Sequence, residues 1–467
     1  LKDTTIRSIL EEYIRKENMN MLSFSLAAGM NRGTLSAILN GNPPKPIAIS
    51  QLDLITIGMQ LPVGALYDLY VDECFITKAP HWRRLRPFLL RCAEYEKYEC
   101  MTNVVQRLAE DLSYMPGIFS TAEMIHKQGR TKAAALLYKC VAEGEKYQHS
   151  ERLAICQYRL FNEKVGQDMV ANFKAATQFD PFIDRLPEYE QLDALRDLGN
   201  IYTGLHEWER LDEIADQLER LVKTLYKYEC ESNRYDEINR KTKYPLVAYY
   251  GNAYLMKAEV CDNFRDYERA KAYNNRYADL SWFRGLGHEG KACVIQFSEW
   301  SRANAYVFDL KSGKVDILPE YVSYIEDKEY EILPGLEIIM KAANQYDLDI
   351  DPILSQFKDR ISTYFHRDFT IGNYNRQLSM HRYVNFFYEV SYYNFKKTSY
   401  DIAYKYIIAS LEISLEMNNK SVLLKCIALF EKFRHTASEE SIHEYKNIMA
   451  RVHDIAQNDI LFVGPHS

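Results

Sequence analysis

Glycine and proline are scarce in this chain, at 19 and 14 of 467 residues, below the ordinary shares of about 7% and about 5%. That excludes collagen-like and low-complexity classes, and it leaves few turn residues for a protein of many short strands. No apolar run approaches the ~20 residues of a membrane span. The first residues lack the apolar centre of a signal peptide, so a cytoplasmic location is expected. Nine cysteines (Cys74, Cys92, Cys100, Cys140, Cys156, Cys230, Cys261, Cys293, Cys426) form no Cys-x-x-Cys pair, which favours reduced, mostly buried thiols over a disulfide framework. The histidines fall at no metal-ligand spacing, and no metal or cofactor is expected. Gly-x-Ser-x-Gly, phosphate-loop and His-Glu-x-x-His patterns are also missing. His366-Arg367-Asp368 has no glycine-rich loop or Asp-Phe-Gly to make it kinase-like. The chain offers binding surfaces, and an enzyme is not expected.

What remains is rich in tyrosine, 36 residues, within a 47% hydrophobic composition. No stretch alternates as a half-buried strand does, so the expected fold is all-α. The length predicts two or three domains, or one domain and a repeat array.

Residues 20–41 read as two short helices around a tight turn. Gly29 supplies the residue that tolerates positive φ. Asn31 can cap the second helix through its side-chain oxygen. Leu35 and Ile38, three apart, can pack onto Phe24. Asn40-Gly41 suits a left-handed C-cap. The flanks predict a first helix at Ile6–Lys16, a fourth at Ile49–Met59 and a fifth at Val63–Tyr70, with Pro43, Pro44 and Pro46 breaking the chain between the third and fourth.

The turn Gly29-Met30-Asn31, then Thr34-Leu35-Ser36 and Asn40-Gly41, resembles the helix-turn-helix of the lambda-repressor-like (Xre) DNA-binding domains. The resemblance implies a five-helix head over 1–75 that touches double-stranded DNA with Asn31, Arg32, Gly33, Thr34, Ser36, Ala37 and Asn40. Arg32 is the candidate for reading a guanine edge, an interaction of about 1–3 kcal/mol. Gly33 offers no side chain and Ala37 only a methyl. Asn31, Thr34, Ser36 and Asn40 suit phosphate contacts or local capping about equally. The charge is thin: the first fifty residues hold six basic and four acidic side chains, net +2, in a chain of net −7. A single head should therefore bind DNA weakly, and a dimer is expected to double the phosphate contacts.

Beyond a linker or helix start at 76–90, residues 91–460 read as successive helix pairs, roughly seven to nine by repeat length. In 122–141, Ala122, Ile125, Gly129, Ala134, Tyr138 and Val141 match the small and large positions of a tetratricopeptide repeat. Further helices are expected at Glu151–Glu163, Pro334–Tyr346, Tyr383–Lys397 with Tyr400–Met417, and Val422–Ile455. Lys227–Lys243 reads as a polar insertion. A small-Asn-x-Tyr pattern recurs at Gly199-Asn200-Ile201-Tyr202, Gly251-Asn252-Ala253-Tyr254 and Ala303-Asn304-Ala305-Tyr306, with the asparagines 52 residues apart each time. In a right-handed superhelix of such pairs the first helices line the inner groove. Asn200, Asn252 and Asn304, with Gln157 and Asn385 as weaker candidates, could then hold a peptide backbone, because an amide donates and accepts at once. The alternative is that these asparagines bond to neighbouring helices or water.

A lambda-repressor-like head followed by such an array resembles the RRNPP group of peptide-responsive transcription regulators of Gram-positive bacteria and their phages. The resemblance implies a cytoplasmic homodimer whose operator binding is switched by a short signalling peptide held in the groove. A second reading is a Rap-like protein that binds a response regulator or another protein partner, with the head as a docking module.

Overall fold

The computed structural model describes residues 5–75, 80–166, 168–232, 241–366 and 376–461. Among them the chain is helical throughout, with no strand and 24 α-helices. It divides into two compact units, 1–163 and 164–467. That boundary falls inside the stretch that the sequence reads as one array. Lys2, Asp3, residues 76–79 of the expected linker, 233–240 of the expected insertion, and Arg367 and Asp368 lie outside the described residues.

The first unit opens with α1 (Ile6–Lys16), α2 (Met21–Ala27), α3 (Arg32–Asn40), α4 (Ile49–Gly58) and α5 (Tyr67–Cys74). Reciprocal caps start two of them: Ser8 N donates to Thr5 Oγ1 at 3.1 Å before α1, and Ser23 N to Asn20 Oδ1 at 2.9 Å before α2. Each such cap satisfies an otherwise unpaired N–H. Leu10, Phe24, Leu35, Ile38, Leu52 and Ile55 are fully enclosed between these helices. The fifth helix starts four residues later than the sequence predicts. Residues 63–66 form a turn with Gly64 at φ +83°, and a left-handed residue cannot continue a right-handed helix.

The next helices are α6 (Trp82–Glu94), α7 (Tyr98–Leu108), α8 (Met115–Lys127), α9 (Thr131–Gly144) and α10 (Glu151–Lys164). Where a linker or a helix start is expected, α6 begins at Trp82 and packs on α4 and α5. Phe88 sits edge-on to both Tyr67 and Tyr70, at centroid distances of 5.5 and 4.8 Å. Arg91 grips Asp53 at 2.8 Å, and the Tyr67 hydroxyl donates to the same carboxylate at 2.8 Å. Helices α8 and α9 pack across buried Ala122 and Ala134, with Gly129 at φ +78° in the turn between them.

The second unit begins with α11 (Met169–Phe179), α12 (Glu188–Leu205), α13 (Trp208–Ser232), α14 (Leu246–Asn263), α15 (Tyr267–Ala278) and α16 (Gly287–Lys311). It continues through α17 (Leu318–Glu326), α18 (Glu329–Tyr346) and the short α19 (Asp351–Gln356) and α20 (Lys358–Thr363). It closes with α21 (Arg376–Lys396), α22 (Tyr400–Glu416), α23 (Lys420–Phe433) and α24 (Glu439–Leu461). Long helices here pack on the next and often on the next but one, so that α12, α14, α16 and α18 stack in series. One apolar core runs through the later helices, centred on Leu336, Phe386, Ile407, Leu411 and Phe430. The beginning and end of the unit meet: α12 touches α21, and Asn418 Nδ2 donates to Asp168 at 3.4 Å.

Candidate functional site

The first candidate surface is the start of α3. Gly29 takes φ +63°, the left-handed conformation that turns the chain between α2 and α3. Asn31 then caps α3, its Oδ1 accepting from Gly33 N at 2.7 Å and Thr34 N at 3.3 Å. A Cβ on Gly33 would sit 3.1 Å from the capping oxygen, a tight approach. Asn31, Arg32, Gly33 and Asn40 are exposed, and Thr34, Ser36 and Ala37 partly so, while Leu35 and Ile38 face the core. Among the described residues Arg32 has no hydrogen-bond or ionic partner, so its guanidinium is available.

The C-terminal end of α3 is held by a group that sequence spacing does not reveal. Arg7 donates to Ile38 O and to Lys45 O, both at 3.1 Å, and pairs with Glu73 at 2.6 Å. Glu73 also accepts from Ile47 N at 3.2 Å and lies 4.0 Å from Arg84 of α6. This buried hub fixes α3 and the loop after it to α5 and α6. It also removes Arg7 from the basic residues free to meet phosphate. The expected left-handed cap at Gly41 is not formed: φ is −63°. Glycine is needed there for close approach, since a Cβ would collide with Ala37 O while Lys45 N donates to that same oxygen at 3.0 Å.

The recurring small-Asn-x-Tyr pattern lies in the second unit, and its small residues mark helix crossings. A Cβ on Gly199 would run into Met256, one on Gly251 into the Phe297 ring, and Ala303 is buried. The tyrosines tie to neighbouring segments: Tyr202 donates to Asp180 at 2.9 Å and Tyr254 to Glu219 at 2.8 Å, while Tyr306 stacks on Tyr321 at 5.6 Å. The asparagines do not share one environment. Asn200 is exposed. Asn252 is only 9% exposed, and its Nδ2 donates to Ala248 O of its own helix at 2.8 Å. Asn304 Nδ2 donates to the Tyr277 hydroxyl at 2.8 Å. Asn385 sits 3.1 Å from His381 Nδ1. Gln157 is half-buried in the first unit. An asparagine ladder in register therefore does not extend through Asn252. Its side chain is buried, and one of its two amide protons goes to its own helix.

A polar network that sequence spacing gives no sign of runs between α12, α14, α18 and α21. Thr203 donates to Glu259 at 3.2 Å, and His206 Nε2 meets His381 Nε2 at 2.8 Å. Lys341 pairs with Glu337 at 2.6 Å, and Arg382 lies 3.7 Å from the same carboxylate. Asn344 donates to Glu389 O at 2.9 Å and to its carboxylate at 2.7 Å, leaving Asn344 Oδ1 buried without a donor. Burial pushes Glu259 and Glu389 up from the ordinary carboxylate range. Burial acts the same way on Glu337, but Lys341 and Arg382 outweigh it and hold that carboxyl low. Burial, then the His206 ring, depresses His381 to about 3. Lys341 keeps 38% of its side chain exposed at the edge of these groups.

All nine cysteines are free thiols. Among the described residues no three His, Cys, Asp or Glu side chains could hold a metal, and no helix is long and apolar enough to cross a membrane. No protein-family model and no curated protein matches the chain. Among solved structures, a circular tandem repeat protein with novel repeat topology and enhanced subunit contact surfaces is similar at 9% identity, over 96% of this chain and 90% of that one. Its TM-score is 0.20, too low to carry an argument about fold or function.

Proposed function

We propose that the chain is a DNA-binding transcription regulator of quorum-sensing type. Two heads of a homodimer hold double-stranded operator DNA, and the helix pairs of the second unit, read as tetratricopeptide-like repeats of a right-handed superhelix, bind a short signalling peptide. The observation that carries the reading is the exposed first turn of α3, where an unpaired Arg32 stands on a capped helix anchored by buried Leu35 and Ile38. Peptide contacts fall to Asn200 and Asn385, with Asn344 added for its unused acceptor. The peptide switches operator affinity only to the extent that it binds one state of the dimer more tightly.

The test is a gel-shift titration against genomic fragments selected by the purified protein. Binding is expected to weaken steeply with salt and to fall about tenfold in Arg32→Ala, one lost base contact. An unchanged affinity in that variant sinks the assignment of α3. In native mass spectrometry with short peptides, Asn200→Ala with Asn344→Ala is expected to reduce binding, and unaltered binding would remove both residues from the site.

A second reading has its own support. On α2, Leu22 and Leu26 are 50% and 74% exposed, and Ile57 of α4 is 53% exposed. Apolar side chains gain little beside phosphate but suit a protein partner. A Rap-like interaction protein predicts that Leu26→Glu abolishes capture of a protein partner while no DNA fragment is retained.

A further inference from the structure

Tyr364 and Phe365, in the turn after α20, meet α21, α22 and α24 around a cavity of about 300 Å³. Its floor is aromatic and aliphatic. Phe365 stacks on Phe387 at 4.9 Å and 15°, with Ile408, Ile413 and Ile448 completing it. The rim is charged. Lys405 and Glu412 line the cavity from α22, and Glu444 and Arg451 from α24, each pair seven residues apart. Seven helical residues rise ~10 Å, so each helix offers a cation and an acid two turns apart. Lys405 Nζ lies 4.4 Å above the Phe365 ring. Among the described residues neither Lys405, Glu444 nor Arg451 has an ionic partner. Asn385 and Phe387 are two positions apart on α21, about 200° around the helix. The cavity therefore opens on the opposite side of α21 from the His206–His381 network.

We propose that this cavity binds an apolar α-amino carboxylate, either a free amino acid or the last residue of a peptide. The apolar side chain lies on Phe365 and Phe387, the carboxylate meets Lys405 or Arg451, and the N–H donates to Glu444 or to Asn447 beside it. Both signs of charge at the rim disfavour a polyanion and a simple cation alike. A volume at the low end of ligand pockets suits one residue and its flanking groups. The site does not depend on operator binding or on the asparagine face.

Calorimetric titration of the full chain with phenylalanine, leucine, the tripeptide Ala-Ala-Phe and its C-terminal amide tests this. At least one free carboxylate is expected to bind, and amidation or the double variant Lys405→Gln, Arg451→Gln to weaken it at least about tenfold, as loss of a charge-assisted bond does. Ala409→Leu, which fills the cavity, is expected to abolish binding, with circular dichroism verifying the fold of each variant. Binding of phenylalanine and tripeptide alike assigns a single-amino-acid site; binding of the tripeptide alone assigns a peptide terminus. The proposal is overturned if none of the four binds at ~10 mM, if the amide binds as well as the acid, or if folded Ala409→Leu binds unchanged.

Discussion

Gly29 in the first unit and Gly251 in the second occupy comparable places in sequence motifs, yet they are glycine for opposite reasons. At Gly29 a Cβ would meet nothing within 4 Å, and the requirement is backbone, φ +63°. At Gly251 the backbone is ordinary helix and the requirement is space, since the Phe297 ring occupies the place of a side chain. The same division governs the polar residues nearby. Around α3 they point outward, whereas Asn252 is buried with its amide on Ala248 O of its own helix and Asn304 bonds to Tyr277 of the preceding one. The head is shaped locally and tied down by a few long-range bonds; the second unit is shaped by its crossings.

The largest test of that contrast is the tie itself. Glu73 is buried between Arg7 and Arg84, so Glu73→Gln leaves two largely buried guanidiniums short of a counter-charge. A loss of about 3 kcal/mol in urea unfolding is expected, as for other broken buried pairs. A loss under about 1 kcal/mol would show that α3 is held by its apolar face alone.

The two glycines come next. Gly251→Ala forces a methyl against Phe297 and is expected to cost about 1–3 kcal/mol. Gly29→Ala strains one left-handed residue and should cost about 1 kcal/mol. Adding Phe297→Leu is expected to recover part of the Gly251→Ala loss and none of the Gly29→Ala loss, read as a double-mutant cycle. Equal effects of Phe297→Leu on both would erase the distinction between the glycines.

These contrasts explain what the sequence disclosed. The first four helices lie within a residue or so of their predicted ends because turns and caps are local: Gly29, Asn31 and the Pro43–Pro46 break carry their own signals. The helices at 122–141 were legible for the same reason, two alanines and a glycine at fixed offsets. The Gly41 cap was misread because Asn-Gly usually reports backbone conformation, while here the glycine admits Ala37 O and Lys45 N. The asparagine repeat was legible as a repeat but not as a surface. Whether Asn252 faces a groove or a packed crossing depends on how α14 is rotated against α12 and α16, and its own sequence does not encode that rotation. Arg7 with Glu73, His206 with His381, and the cavity beside Phe365 join residues far apart in the chain, so spacing gave no sign of them.

A milder test separates the second unit from the first by pH. His381 is depressed to about 3 and His206 is also lowered, burial being the main cause for both. Their ordinary value is 6.5, so the unfolded chain binds more protons below that pH, and stability falls as pH drops from about 6.5 toward 3. Each histidine contributes up to about 1.4 kcal/mol per pH unit. Thermal unfolding between pH 7 and 5.5, above most carboxylate titration, should show the slope in the wild type and a shallower one in His381→Gln. An unchanged slope would mean that the pair titrates normally.

The smallest effect on stability is expected at Arg32, and that is its value as a probe. Arg32 is exposed and unpaired, so Arg32→Ala should change unfolding free energy by less than about 0.5 kcal/mol, as ordinary surface substitutions do. Asn31→Ala, by contrast, removes the cap that starts α3 and should cost about 1 kcal/mol. If α3 meets DNA, the two variants part company in opposite senses: Arg32→Ala loses operator affinity with its stability intact, and Asn31→Ala loses stability first. If both variants retain operator affinity in proportion to their folded fraction, the side chains of that turn serve the helix alone. The exposed leucines of α2 would then be the face of the head that meets a partner.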